Sequence, residues 1–194
     1  MEIKFRNLYA DEIECRIAQI NDKGLVLLLY KDARCDMNIL DETVGAMNWS
    51  RRHTRDNANC VVSIYDEEKN EWVTKEDTGT ESNTEKEKGL ASDSFKRACV
   101  NWGIGRELYT APFIYIFAND TENKANFNLK KNDKGKWVCN DKFIVEKILY
   151  DDKKNITALS IINVTLKKRV YVWQQPKKTE NSNNGGNNGN SISN

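Results

Sequence analysis

The sequence predicts an α+β fold, an antiparallel β-sheet (β-β-β-α core) packed on a long helix, with an additional C-terminal β-hairpin region. Three observations carry this expectation. Runs of β-branched and alternating residues separated by turn residues recur through the chain. Two segments switch to helical spacing. The central order of strand, strand, strand and long helix places a helix on one face of an antiparallel sheet. At 194 residues the chain suits one folded unit with appendages. We expect a domain over residues 1–175, with a core at about 28–118 and a β extension at about 119–175.

From the N-terminus, Ile13 to Ile20 and Leu25 to Tyr30 flank Asn21-Asp22-Lys23-Gly24, a strand, turn, strand signal. Met37, Leu40, Val44 and Met47 then recur at helical spacing behind Asp36, which reads as the N-cap of a helix of about three turns. Strands are expected at Trp49 to Arg55, Ala58 to Tyr65 and Trp72 to Thr80. The longest helix runs from near Glu85 to Trp102, and Gly103 suits its left-handed C-terminal cap. At about 100° per residue, Ala91, Phe95, Ala98 and Trp102 fall within about 60° of one another, whereas Lys96 and Arg97 each lie about 100° or more from the centre of that stripe. Both basic side chains must leave the core-facing surface. Trp102 is expected in the core rather than as a stacking platform.

Farther on, Phe113 to Phe117 is expected as a buried strand and Asn119 to Gly135 as a long polar loop. Phe143 to Tyr150 and Ile156 to Leu166 form a hairpin about Asp151-Asp152-Lys153-Lys154-Asn155, followed by a short strand at Arg169 to Trp173. Residues 176–194 read as a disordered tail. From Asn181 onward it holds thirteen Asn, Gly or Ser residues plus Ile192, too little apolar area to offset the entropy of ordering.

The formal net charge of +1 hides segregation along the chain. From Asp66 to Glu87 there are nine acidic residues against three lysines, while Asn48 to Asn59 carries three arginines and one aspartate. A nearly neutral protein can therefore present a basic strip to a polyanion. The five cysteines are scattered, odd in number and never in a C-x-x-C pair, which argues against a disulfide framework or a zinc knuckle and for a reducing compartment. No apolar stretch follows Met1-Glu2-Ile3-Lys4, and no run approaches the length of a membrane span, so a cytoplasmic location without membrane partners is expected.

Two clusters point to chemistry. Between Ser94 and Tyr109, Lys96, Arg97 and Arg106 combine with aromatics and glycines over one helix end. Lysine and arginine neutralise phosphates without reading sequence, which suits nucleic-acid binding; a solvated helix face is the plainer alternative. In Trp49 to Arg55, Arg51, His53 and Arg55 point to one side of a strand and Arg52 to the other. That strand lines a DNA groove or is a charged edge that blocks aggregation.

Enzymatic readings have less support. His53 is the single histidine, leaving little for metal ligation or histidine-based nucleophilic catalysis. A metal-dependent nuclease would draw on Asp66, Glu67 and Lys69 or on Asp151, Asp152 and Lys153, but both sets fall in expected turns. There is no G-x-x-x-x-G-K-[ST] phosphate loop, and Gly103-Ile104-Gly105 follows a helix instead of preceding one. We expect no catalytic residues, no metal and no cofactor.

Taken in order, the segments resemble the Rad fifty-two / Rad twenty-two family of single-strand annealing proteins, particularly the short bacteriophage-type recombinases. Leu40-Asp41-Glu42-Thr43-Val44-Gly45 with Asn48-Trp49-Ser50 is similar to that family's first core helix and hairpin entry, and Glu76-Asp77-Thr78-Gly79 to the end of its third strand. Glu87-Lys88-Gly89 through Phe95-Lys96-Arg97-Ala98 and Trp102-Gly103 resembles its long helix. The likeness covers roughly Leu28 to Tyr109 and rests on the order and spacing of short motifs.

The resemblance implies a ring or helical homo-oligomer that binds single-stranded DNA in a basic groove and anneals complementary strands in recombination or repair without ATP. It further implies a host single-strand-binding protein as partner and, for a phage-encoded chain, the bacterial host cytoplasm. Lys96 and Arg97 take the role of the family's backbone-gripping pair. Cys35 stands where the family has a DNA-binding arginine, so Arg34 is the candidate replacement, and Lys88 extends the track. With Arg51, Arg52, Arg55 and Arg106, these complete the candidate DNA-binding set. A protecting, OB-fold-like binding module without annealing activity and the nuclease are the alternatives.

Overall fold

The computed structural model describes residues 3–80 and 86–176, with side chains from residue 89 in the second stretch. Of the expected tail only Pro176 falls within the described residues. The described chain is mixed α and β, with antiparallel sheets and two α-helices.

Strands β1 (Glu14–Ile20) and β2 (Gly24–Tyr30) form the expected hairpin. Its turn is fixed by the Asn21 side chain, whose Oδ1 accepts from the backbone N–H groups of Lys23 (2.8 Å) and Gly24 (3.0 Å). After α1 (Ala33–Val44), the strands β3 (Trp49–Thr54), β4 (Asn59–Asp66) and β5 (Glu71–Thr78) pair in sequence order as one antiparallel sheet. Helix α2 (Lys86–Trp102) lies on β4 and β5. Cys60, Val62 and Ile64 on β4 are buried opposite Phe95, Ala98 and Cys99. Phe95 also stacks on Trp49 at 6.1 Å. Ala91 and Trp102 complete the expected stripe half-buried, and the Trp102 indole N–H donates to the Val62 carbonyl at 3.1 Å. Gly103 closes α2 with φ +100°, while the Ile104 N–H reaches back to Cys99 O.

A second, six-stranded sheet has the order β11-β10-β9-β1-β2-β6, built with β6 (Ile114–Phe117), β9 (Phe143–Tyr150), β10 (Ile156–Asn163) and β11 (Lys168–Gln174). The C-terminal strands are thus continuous with the N-terminal hairpin and share its sheet. Phe143, Val145, Leu159 and Ile161 join Leu25, Leu27, Ile114 and Ile116 in one core. The edge strands β6 and β11 approach each other, with the Tyr171 hydroxyl donating to the Phe113 carbonyl at 3.3 Å, so the sheet curls nearly into a barrel.

Four local expectations change. The N-cap of α1 is Asp32, whose carboxylate accepts from the Cys35 N–H at 2.9 Å; Asp36 lies inside the helix and is fully buried. The buried face of α1 is Cys35, Asp36, Ile39 and Leu40, and Met47 lies beyond the helix end and is exposed. Of the expected apolar positions Leu40 is buried and Met37 and Val44 pack half-buried against the core, but the centre of the face is shifted towards Asp36, a charged residue that apolar spacing does not count. On β6 only Ile114 and Ile116 are buried, and Phe113 and Phe117 face outward, as the two-residue period of a strand with one covered face requires. The 119–135 loop is polar but anchored: Asn126 Nδ2 donates to the Phe117 carbonyl, and Phe127 enters the core. Near its end, β7 (Lys130–Lys131) pairs with β8 (Trp137–Val138) just beyond it. Among the described residues no helix is long and apolar enough to cross a membrane.

Candidate nucleic-acid interface

Helix α2 turns its apolar stripe to the three-stranded sheet, which leaves Asp93, Lys96, Arg97 and Val100 on the side facing the end of β2. There they meet Tyr30 and Lys31, and Tyr109 from the 3-10 turn Arg106–Thr110, around a notch of about 180 Å³. Three cationic side chains, Lys31, Lys96 and Arg97, therefore line one small concavity beside two tyrosines.

Each cation is held differently. Lys31 is buried and paired with Asp36 of α1. Burial pushes the Asp36 carboxyl up to about 6 although Lys31 and Lys96 both pull it down, and its Oδ2 has no hydrogen-bond partner among the described residues. Gly105 makes room for this lysine: its φ is +69°, and a Cβ there would lie 2.1 Å from Lys31 Cε. Arg97 is steadied by Asp93 one turn earlier, Nε to Oδ2 3.0 Å, with 42% of its side chain still exposed. Burial raises the Asp93 carboxyl, but the Thr80 backbone N–H, Arg97 and the Thr80 hydroxyl outweigh it and hold the group below its usual range. Lys96 is half-buried. With Lys31 answered by Asp36 and Arg97 by Asp93, the notch keeps an excess of one positive charge, and Lys96 and the exposed part of Arg97 are the groups within reach of a phosphate.

The other candidate residues lie apart. Arg34 is 84% exposed at the start of α1 and bonds the N-cap Asp32 through Nε (2.9 Å) and Nη2 (2.7 Å). Arg51 shares the α2-facing side of β3 with Trp49 and His53, and its guanidinium sits 4.9 Å over the Phe95 ring. Burial and then Arg51 lower the His53 pKa, and its Nδ1 lies 3.4 Å from the buried Ser94 hydroxyl. Arg52 is exposed on the opposite face of β3, and Arg55 sits in the turn with φ 52°. Arg106 closes α2 by donating to the Val100 and Asn101 carbonyls (Nη2, 2.8 and 3.2 Å). Lys88 belongs to α2, but its side chain lies outside the described residues.

Comparison with known proteins finds no matching family, curated protein or solved structure.

The notch contains three residues that sequence reasoning did not select: Lys31, Tyr30 and Tyr109. Lys31 follows an apolar strand and carries no motif; the buried Asp36 five residues on and the glycine at 105 are its nearest sequence traces. Two of the carboxylates considered for a nuclease, Asp66 and Asp151, serve their own turns. Asp66 Oδ1 accepts from the Glu68 and Lys69 N–H groups, and Asp151 Oδ1 from those of Lys153 and Asn155. Among the described residues, no group of three His, Cys, Asp or Glu side chains is placed to hold a metal ion.

Proposed function

We propose that the protein binds single-stranded DNA by its phosphates and anneals complementary strands without nucleotide hydrolysis, acting in recombination or repair as an oligomeric ring or helix. The observation that carries this reading is that Lys96 and Arg97 line one notch bordered by Tyr30 and Tyr109, with the buried Lys31 and Asp36 pair at its wall. Backbone contacts of this kind are indifferent to sequence, as annealing of arbitrary strands requires. Held by phosphates, the strand keeps its pairing edges available, and base pairing supplies the driving force. In this reading α2 with β3, β4 and β5 forms the β-β-β-α unit that bears the DNA.

The nearly closed six-stranded sheet favours one second reading, a barrel-like protector that coats single strands without annealing them. One assay separates the two. Complementary labelled oligonucleotides are mixed with the full chain, with and without magnesium. Faster duplex formation in both conditions is the expected result, slower formation supports the protector, and cleavage confined to the magnesium arm rejects both.

A further inference from the structure

The outer face of β2 and β6 carries a cluster that the DNA reading does not use. Phe113 is 74% exposed, Phe117 66%, Leu28 51% and Tyr30 36%. The three aromatic residues along β6 touch in series, Phe113 to Tyr115 at 6.4 Å and Tyr115 to Phe117 at 5.0 Å, and Tyr115 pairs across the sheet with Val26. Taking about 200 Å² for a full aromatic side chain, Phe113, Phe117 and Tyr30 alone leave roughly 350 Å² of aromatic surface in water. Leu28 enlarges it. Patches of this size mark interaction surfaces on soluble proteins.

We propose that this face is the contact between copies of this chain. Three observations select a second copy over a nucleic acid. First, the exposed area is a large share of the roughly 800 Å² per partner that a stable protein interface buries. Second, the bordering charges on β1 alternate in sign, Glu14 beside Tyr30 and Arg16 beside Leu28, and the Tyr30 hydroxyl donates to Glu14, so the face offers no excess of cations to a polyanion. A net charge of +1 leaves little repulsion between copies. Third, β6 and β11, the outer strands of the six-stranded sheet, approach each other and both carry exposed apolar side chains, Phe113 and Phe117 on one and Val172 (70%) on the other, so the apolar surface extends past β6.

This inference supplies the contact for the oligomer of the proposed function. Tyr30 belongs both to this face and to the basic notch. Association therefore sets the notch beside the interface, where one strand can pass from copy to copy.

The test is sedimentation velocity of the full chain without DNA over a wide concentration range, on the wild type, on Phe113→Ser with Phe117→Ser, and on Leu149→Ser as an exposed-apolar control. The wild type is expected to sediment as a multiple of the chain mass, the double variant to fall to a smaller species with an unchanged circular dichroism spectrum, and the control to match the wild type. A monomeric wild type overturns the proposal, as does a double variant that assembles normally. Should the double variant misfold, hydroxyl-radical footprinting of the wild type decides: Phe113 and Phe117 gain labelling on dilution, and equal labelling at all concentrations rejects the contact. Because the mass is read without DNA, a failed contact leaves single-strand binding standing while a monomeric wild type removes the oligomer from the proposed function, and failure of DNA binding leaves the contact standing.

Discussion

The chain has two basic clusters of similar charge, and the fold treats them in opposite ways. Lys31, Lys96 and Arg97 come from two separate segments and converge on one notch. Arg51, Arg52 and Arg55 are nearly adjacent in sequence, yet the strand and its turn disperse them: one over Phe95, one on the far face and one in the turn. Density of charge along a sequence is therefore a poor guide to a binding site. A strand separates successive side chains to opposite faces, whereas a helix end, a loop and a 3-10 turn can bring distant ones together.

The notch is walled by the buried Lys31 and Asp36 pair, and the largest expected effect lies there. Lys31→Met leaves a fully buried carboxylate without its counter-charge and is expected to lower stability by about 3–5 kcal/mol at pH 8, measured by chemical denaturation. The loss should be smaller at pH 5, where a proton takes the lysine's place. An equal loss at both pH values would mean that Lys31 acts through packing alone.

A somewhat smaller effect belongs to the wild type. Asp36 binds its proton more tightly folded, at about 6 against an ordinary value of 3.8, so between those values the folded state holds more protons than the unfolded one. Stability should fall as pH rises through that window, by up to about 3 kcal/mol at roughly 1.4 kcal/mol per pKa unit. Asp36→Asn should flatten that part of the profile. Persistence of the slope in this variant would assign it to other groups.

Much of this architecture was legible. The hairpins were, because Asn21-Asp22-Lys23-Gly24 and Asp151 to Asn155 carry turn chemistry between β-branched runs, and so was α2, because Phe95, Ala98 and Trp102 share a face that ends at a glycine. The face of α1 was hidden by Asp36, a buried charge that hydrophobic spacing cannot count. The joining of β9 to β1 was equally hidden, since pairing between strands more than 120 residues apart in sequence leaves no local trace. Of the site, the outward direction of Lys96 and Arg97 follows from helical period. Their meeting with Lys31 and Tyr109 depends on how the end of β2 and the 3-10 turn pack against α2, which no single segment encodes.

The smallest structural disturbance gives the sharpest test of function. Lys96→Ala with Arg97→Ala removes one partly exposed ion pair, about 0.3–0.5 kcal/mol of stability, together with the pull of Lys96 on the buried Asp36 carboxylate. Single-strand affinity is measured for this variant and for Arg51→Ala, Arg52→Ala and Arg55→Ala combined, over a salt series. The account predicts that the Lys96 and Arg97 variant loses about tenfold or more in affinity across unrelated sequences, with the salt slope shallower by about 1.4, the share of two phosphate contacts on a single strand. The triple arginine variant should stay within a few-fold of wild type. Wild-type affinity in the first variant, or a larger loss in the second, would contradict the central claim that the notch holds the DNA.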